Sequence, residues 1–345
     1  MRARAHGGNA VFHYTDTAIL AVGVAEAPIV VTSDDFDEQL APTLERVGLR
    51  PGMLEGLAGI RARRWWPEDV SFADAATIAG RTALEKSGVE PSEIGLLIDT
   101  SVCRDHLEPS AAVDVHHQLG LSTSCLNFDL ANACLGFVNG MQLAATMIDA
   151  GQINYALIVD GEGSRRTQEG TIRRLQDAST TRQDVLDNFA TLTLGSGGAA
   201  MVLGRASEHD EGHRFVGGVS RAATQYNTLC IGDLDHMITD SNGLLRAGVE
   251  LAGDTWDNAR GVFDWDNLDS YVIHQVSQVH TAAIAERLGI DIARVPLTFP
   301  DLGNIGPASV PTTLAHAASG YSRGQRVACM GIGSGLNSAV IEIDW

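Results

Sequence analysis

The sequence predicts an α/β protein, because helix-like and strand-like stretches alternate along most of its length. The strand-like stretches are short apolar runs such as IGLLIDTSV, and the helix-like stretches repeat apolar residues at helical spacing. The 345 residues, of which 44% are hydrophobic and 19% charged, suffice for one large domain or for two of ordinary size. A compact globular chain follows from this composition.

The elements follow one another in a regular order. AILAVGVAEAPIVV, which Glu26 and Pro28 interrupt, predicts a pair of strands. FADAATIAGRTALEKSG predicts a helix, IGLLIDTSV a buried strand, and PSAAVDVHHQLGL a second helix. The same rhythm continues through CLNFDLAN, a helix after Cys134, YALIVDGE and GSGGAAMVLG, and it returns in SYVIHQVS, TAAIAERLG and RVACMGIGSG. Two similar halves are therefore expected.

The polar stretch RASEHDEGHRF interrupts this rhythm and predicts a boundary near Arg205. We therefore divide the chain into residues 1–205 and residues 206–345. A second irregular segment, SRRTQEGTIRRLQDASTTRQDVLDNF, predicts one or two surface helices that cap a substrate channel.

The net charge and the cysteine pattern exclude several classes of function and of site. A net charge of −19 opposes capture by nucleic acid or by an anionic membrane surface. No apolar run is long enough to span a membrane, and the segment after Arg2 and Arg4 lacks a signal-peptide layout. The five cysteines are scattered and form no CxxC pair, so we expect neither a disulfide framework nor a zinc site. These features predict a soluble cytoplasmic protein.

Cys134 lies where a strand-like stretch turns into a helix-like one, in DLANACLGFVNGMQLAATMIDAG. The unpaired N–H groups and the dipole of a helix N-terminus stabilise an anion, so we expect a lowered thiol pKa and a nucleophile. The alternative is a small buried residue, because free cysteines are often inert core residues.

His274 and Asn304 each follow a strand-like stretch, in SYVIHQVS and DLGNIGPAS. Taken singly, either one is an ordinary helix-start or turn residue. Because sites in α/β folds gather at the carboxyl ends of strands, both side chains can converge with Cys134 and stabilise an oxyanion.

NACLGF at Cys134, IHQ at His274, GNIGPASVP at Asn304 and GIGSGL near the end together resemble the thiolase superfamily, and within it the beta-ketoacyl-ACP synthase III enzymes. The resemblance runs from Gly59 to the C-terminus. It implies a duplicated five-layer αβαβα fold, a Cys-His-Asn triad on these three residues, and a dimer formed through the first half. The family's oxyanion hole would comprise the backbone N–H groups of Cys134 and Gly335.

Glu108, in RDHLEPSAAVDVHHQLG, occupies a slot in which synthase III enzymes usually carry an aromatic residue that crosses the dimer. A glutamate at a helix start, followed by Pro109, is also a common structural choice. A malonyl donor loses carbon dioxide and needs no base, whereas joining two simple acyl thioesters requires removal of an α proton, which a carboxylate can accept. The pattern looks like the enzymes that condense two acyl-CoAs head to head in long-chain olefin or β-lactone biosynthesis.

The resemblance departs from the family at the CoA contacts, where Met53 and Leu57 stand in place of a tryptophan and an arginine. Arg61, Arg63 and Arg64 can supply phosphate contacts instead, and a solvated basic turn is the alternative. The acidic chain disfavours docking of an acidic carrier protein, so CoA thioesters are the expected substrates, although a local basic segment argues the other way (Arg165, Arg166, Arg173 and Arg174).

The sequence therefore predicts non-decarboxylative Claisen condensation of two acyl-CoAs through an acyl-Cys134 intermediate. We expect no bound cofactor or metal, since the glycine-rich GSGGAA and GIGSG stretches lack the context of a dinucleotide fingerprint. Two alternatives stay open. One is a decarboxylative synthase with a malonyl donor, and the other is one subunit of a heterodimer.

Overall fold

The computed structural model describes residues 11–345, so Arg2 and Arg4 lie outside the described residues. The strands within this range are β1 (Val11–His13), β2 (Thr17–Glu26), β3 (Ile29–Thr32), β4 (Ala62–Trp65), β5 (Ile94–Asp99), β6 (Leu126–Asp129), β7 (Tyr155–Glu162), β8 (Gly197–Arg205), β9 (His213–Ala222), β10 (Cys230–Gly232), β11 (Met237–Thr239), β12 (Ser270–Ile273), β13 (Arg326–Gly333) and β14 (Asn337–Asp344).

The α-helices in the same range are α1 (Ser33–Arg46), α2 (Met53–Ala58), α3 (Phe72–Ser87), α4 (Ala111–Leu119), α5 (Gly136–Asp149), α6 (Arg165–Leu175), α7 (Arg182–Asp187), α8 (Phe189–Leu192), α9 (Ser241–Asp257), α10 (Gln278–Leu288), α11 (Phe299–Leu302) and α12 (Ser309–Ala317). Capping hydrogen bonds explain where several of these helices begin. In α3, for example, the Ser71 hydroxyl accepts the Asp74 N–H while the Asp74 carboxylate accepts the Ser71 N–H.

The main sheet shows the duplication that the sequence predicts. Its strand order is β12-β13-β14-β9-β2-β8-β7-β5-β6, and β1 pairs with β9. From the centre outward, β2-β8-β7-β5 and β9-β14-β13-β12 repeat the same order, with two antiparallel pairings followed by a parallel one. The halves join through a short β2–β9 pairing, at Ala18 with Arg214 and Ile19 with His213. The boundary near Arg205, where β8 ends, stays a prediction.

The helices complete five layers, as the thiolase-like fold requires. Helices α3 and α4 cover the outer face of the first set of strands. Helices α5 and α12 lie between the two sets, in a core to which both contribute, including Ile158 and Val272. Helices α9 and α10 cover the outer face of the second set, where Trp256 and Ile284 pack against Tyr271. Buried apolar surface on both faces of each set of strands stabilises this arrangement.

Two local expectations concern the strand pair and the irregular segment, and the first differs from the structure. The expected strand pair forms as β2 and β3, but these strands lie in different sheets: β2 is flanked by β8 and β9, and β3 pairs with β4 through Val31 and Arg63. The irregular segment before β8 contains two helices, α6 and α7, as expected, and the short helix α8 begins at its last residue, Phe189. No helix of residues 11–345 combines the length and the apolar character that crossing a bilayer demands.

Candidate active site

Cys134 stands in a tight turn between β6 and α5. Ala133 adopts a left-handed φ of 44°, and the Leu135 N–H donates to the Asn132 carbonyl at 3.0 Å. At Gly136 a Cβ would approach the Thr100 carbonyl oxygen to 2.9 Å, so only glycine lets the helix begin this close to β5. This turn places the thiol at the N-terminus of α5, one residue before the N-cap Leu135.

The structure brings the three predicted residues to one cavity. Cys134, His274 and Asn304 all line a cavity of about 780 Å³. Asn304 comes from the second half, yet its backbone bonds to the first: its N–H donates to the Thr193 carbonyl at 2.9 Å, and its carbonyl accepts from Gly195 at 2.9 Å. The cavity therefore lies where the two halves meet, as a site at the strand ends of a duplicated fold requires.

His274 and Asn304 are arranged as hydrogen-bonding groups rather than charges. Burial lowers the pKa of His274 to about 4, so its ring is neutral near pH 7. Its Nδ1 is buried and has no hydrogen-bond partner among the described residues. The Asn304 Oδ1 accepts the Gly306 N–H at 3.0 Å, which leaves its amide NH₂ for a ligand. A neutral imidazole and an amide can share the charge of an oxyanion.

The Cys134 thiol differs from the expectation. Its pKa is raised to about 12, first by burial and then by the neighbouring Glu162 carboxylate. The prediction of a lowered pKa is wrong because the helix N-terminus offers only partial charges, whereas burial removes water from the thiolate. In the unliganded chain the sulfur is therefore a protonated thiol near neutral pH.

Glu162, which the sequence interpretation missed, ends β7 and lines the same cavity. Only 5% of it is exposed, its Oε1 accepts the Val102 N–H at 2.6 Å, and burial raises the pKa of its carboxyl to about 7. Its stretch, DGEGSRR, looks like an ordinary turn. The available signal was its position at the carboxyl end of a buried strand, the same signal that identified His274.

Two further buried carboxyls lie behind Glu162. Asp160 accepts the Thr100 hydroxyl at 2.6 Å, and Asp99 accepts the Ser101 N–H at 2.8 Å. Burial raises the pKa of Asp99 to about 6 and that of Asp160 well above its usual range. One oxygen of each lacks a hydrogen-bond partner within residues 11–345. The ends of β5 and β7 therefore hold three acids that the fold keeps mostly protonated near pH 5.

Glu108 and Gly335 remain predictions. The loop from Val102 to Leu107 lines the cavity, but Glu108 is exposed and lies outside the described cavity wall. The adjacent Leu107 is 98% exposed, so this tip of the loop projects from the chain. Gly335 has a φ of 120°, and its neighbours Ser334 and Leu336 line the cavity.

The arginines predicted to contact CoA have different environments. Arg63 is fully buried, donates to the Ser33 hydroxyl and the Leu192 carbonyl at 3.1 Å each, and stacks over Phe36. Burial lowers its pKa to about 10. This burial corrects the prediction for Arg63, which fixes β4 in place and offers no exposed atom to a phosphate. Arg61 is exposed and pairs with Asp301 at 2.8 Å.

Arg64 is half-buried and lies 3.8 Å from Glu26. The phosphate contacts of Arg61 and Arg64 stay predictions. The expected cap is present in part, since Arg166 and Thr167 of α6 line the cavity. No His, Cys, Asp or Glu cluster in residues 11–345 is arranged to hold a metal ion.

Comparison with known protein families identifies the family of this chain. The model described as 3-oxoacyl-[acyl-carrier-protein (ACP)] synthase III matches residues 128–222, and the model of the C-terminal part of that enzyme matches residues 260–345. The chain belongs to the 3-oxoacyl-ACP synthase III family. The predicted resemblance and the thiolase-like fold class are both confirmed.

Two relatives of this synthase III family member are named acyl-CoA:acyl-CoA alkyltransferase. The one from Xanthomonas campestris is 45% identical over 336 residues, which cover 96% of this chain and 99% of the relative. The one from Shewanella oneidensis is 34% identical over 348 residues, with the same coverage of both chains. A beta-ketoacyl-ACP synthase III from Natranaerobius thermophilus is 25% identical over 354 residues.

Solved structures agree with these relatives. A Cys-to-Ser variant of Xanthomonas campestris OleA, crystallised with lauric acid and lauroyl-CoA, superposes with a TM-score of 0.94 at 45% identity, covering 96% of this chain and all of that one. The synthase III FabH of Xanthomonas oryzae also gives a TM-score of 0.94 at 45% identity, covering 97% of this chain. Histidine-to-alanine and glutamate-to-alanine variants of the same OleA are among the similar structures.

Proposed function

We propose that this chain is an acyltransferase that joins two acyl-CoA molecules head to head, without decarboxylation, to give a β-ketoacyl product. One observation carries the proposal: a relative named acyl-CoA:acyl-CoA alkyltransferase is 45% identical along nearly the whole chain. The cavity supports it, because Cys134, His274 and Asn304 line one space large enough for a thioester and an alkyl chain.

In the first half-reaction, the Cys134 sulfur adds to the carbonyl carbon of one acyl-CoA. The thioester carbon–sulfur bond breaks, CoA leaves with the thiol proton, and an acyl-Cys134 thioester remains. Because the pKa of the thiol is about 12, the proton must be lost during the attack or on substrate binding rather than beforehand. The N–H groups of Cys134 and Gly335 are the proposed oxyanion hole.

In the second half-reaction, Glu108 of a partner subunit removes the α proton of a second acyl-CoA. The enolate oxygen accepts hydrogen bonds from His274 and Asn304, and its α carbon attacks the acyl-Cys134 carbonyl. The Cys134 thiolate then leaves and takes up a proton. A neutral His274 suits this step. Because its pKa is about 4, the ring carries no positive charge near pH 7 and can still donate a hydrogen bond to the enolate oxygen.

The proposal needs a second subunit, because Glu108 lies outside the cavity wall of its own chain. We propose a homodimer formed through the first half. Strand β6 ends the main sheet, and Leu126 on it is 55% exposed, as is expected of an edge that pairs with another chain. A heterodimer with a related chain is the alternative, and native mass measurement of the purified protein distinguishes the two.

The acyl donors proposed are CoA thioesters, and Arg61 and Arg64 are the proposed phosphate contacts. We propose that no cofactor takes part, since a thioester carbonyl already activates its α carbon. The described cysteines are all free thiols, which suits the reducing cytoplasm that we propose as the location. The runner-up function, decarboxylative condensation with a malonyl donor, draws on relatives named beta-ketoacyl-ACP synthase III that are 25% and 26% identical, and on the solved structure named synthase III FabH that is 45% identical.

The test compares Cys134→Ala and Glu108→Ala with the unchanged chain, with a single acyl-CoA as substrate. Intact-protein mass spectrometry follows acylation, and product mass spectrometry follows condensation. We expect Cys134→Ala to lose both, and Glu108→Ala to acquire the acyl group but form no β-ketoacyl product. Glu85→Ala, which removes an exposed glutamate of α3, is the matched control and keeps both activities.

Two results would contradict the proposal. Full-rate condensation by Glu108→Ala would remove the assigned base. Product that forms only when malonyl-CoA or a malonyl carrier protein is supplied would replace the function with the decarboxylative one.

A further inference from the structure

The cavity continues past the reactive residues into an apolar arm. Helices α9 and α10 form one wall of the arm, and strands β13 and β14 form the other. Its lining is made by Leu245, Gly248, Val249, Ile284, Leu288 and Met330. Each of these residues has an aliphatic, thioether or hydrogen side chain, so this part of the cavity suits an alkyl chain. His280 of α10 and Ser338 of β14 also line the cavity.

Gly248 differs from the other glycines that lie inside long helices. It is buried in the middle of α9, yet a Cβ built on it would meet no atom within 4 Å. By contrast, a Cβ on Gly253 of the same helix would meet the Arg287 guanidinium at less than normal contact distance. A buried position with no neighbour in front of it borders an internal space, and that space is the apolar arm.

Neither backbone geometry nor packing requires glycine at this position. Gly248 is absent from the described residues with positive φ, and its Cβ would be free of clashes. Glycine is nonetheless among the poorest residues for the interior of a helix, because it loses the most backbone entropy on folding. A side chain here would have only one consequence for the shape of the molecule: it would fill the arm.

We propose that Gly248 is a specificity-determining residue, which keeps the apolar arm open for the far end of a long acyl chain. The inference rests on the proposed function in one respect, namely that the ligand is an acyl-CoA. It goes further in naming the residue that limits the length of that chain.

The expected effect can be scaled from hydrophobic burial. Each methylene group moved from water into an apolar site improves affinity by roughly fourfold. Leucine at position 248 would place a four-carbon side chain in the arm, so the preference for a long chain over a short one should fall by on the order of a hundredfold. Alanine adds a single carbon and should lower that preference by roughly fourfold.

The experiment measures binding without turnover. Full-length Cys134→Ala, alone and combined with Gly248→Ala or Gly248→Leu, is titrated calorimetrically with a series from octanoyl-CoA to tetradecanoyl-CoA. With Gly248 present, we expect affinity to rise with each added methylene. With G248L, the rise should stop at a shorter chain, while octanoyl-CoA binds as before. Glu250→Leu, which adds leucine on the exposed face of α9, is the control and should keep the full rise.

The inference would be overturned if affinity rose equally with chain length in G248L and in the parent. It would also be overturned if G248L lost the same affinity for acyl-CoAs of every length. If G248L fails to fold, the fourfold change expected of G248A still decides. The proposed function fails separately, when the unchanged chain binds the whole series but forms no condensation product. In that case the dependence on chain length still tests Gly248.

Discussion

Replacing Glu162 with glutamine should stabilise the protein in alkaline solution and leave its stability in acid unchanged. Glutamine is the neutral isostere of glutamic acid, and its Oε1 can still accept the Val102 N–H, which lies 2.6 Å from the native oxygen. The substitution therefore removes a buried charge and little else. Burial is the main reason that the pKa of Glu162 is raised, so the charge is the unfavourable part of this side chain.

The size of the effect follows from the shift in pKa. The folded-state pKa of Glu162 is about 7, against 4.5 for the free side chain. One unit corresponds to 1.36 kcal/mol, so the ionised form costs the folded state about 3 kcal/mol. Between these two values the folded chain holds a proton that the unfolded chain has released. The free energy of unfolding of the native protein therefore falls as the pH rises through this window, and Glu162→Gln removes that fall.

Urea denaturation at about pH 4 and about pH 8.5, followed by circular dichroism, measures the effect. We expect equal free energies of unfolding at the lower pH, and a variant more stable by about 3 kcal/mol at the higher one. Alkylation of Cys134 by iodoacetamide gives a second readout: it should become faster at the higher pH, because the Glu162 charge helps to raise the thiol pKa. Glu85→Gln, on the surface, is the control.

The reasoning would be refuted by a difference between variant and native protein that is the same at both pH values. It would be refuted equally by a native protein that is the more stable one at about pH 8.5. Either result would mean that Glu162 is solvated or paired as an ion in the folded chain.

The remaining predictions concern other buried groups. Arg63→Met should lower the free energy of unfolding by about 3 kcal/mol, because the Ser33 hydroxyl and the Leu192 carbonyl lose a buried donor; Arg61→Met, measured by the same urea titration, should cost far less. The ring of His274 should stay neutral down to about pH 4 when its NMR signals are titrated, and protonation near pH 6.5 would contradict its burial. Gly248→Ala should raise the free energy of unfolding by roughly 0.5–1 kcal/mol in thermal or urea melts.

The sequence predicted that Cys134, His274 and Asn304 would meet at one site, and the structure places all three on the wall of one cavity. Cys134 and His274 follow the strands β6 and β12, so the rule that sites gather at the carboxyl ends of strands applies to both. The expectation was wrong for Asn304, which follows the short helix α11 and is held at the cavity by backbone hydrogen bonds to Thr193 and Gly195. The ionisation state of Cys134 could not be predicted in the same way. The pKa of Cys134 depends on burial of the sulfur and on the charge of Glu162, which comes from another part of the chain.

The errors share the same origin. The RARRWW run gives no indication that Arg63 faces inward while Arg61 pairs with Asp301, because the alternation along β4 has meaning only once β3 and the segment around Leu192 are in place. Glu162 was missed for the converse reason. A glutamate between glycines is typical of an exposed turn, and only the packed structure shows that this one is buried.

The features that violate local rules of stability meet at one cavity. The carboxyl of Glu162 is buried without a cation beside it, Cys134 sits in a left-handed turn with its thiol beside that acid, and Gly248 weakens the middle of α9. Stability alone would favour a glutamine, a relaxed turn and an alanine. Each costly choice instead serves one purpose: to keep a space free of protein atoms with hydrogen-bonding and ionisable groups at its wall. A fold selected only for stability would fill that space, so its presence is itself an argument that a ligand occupies it.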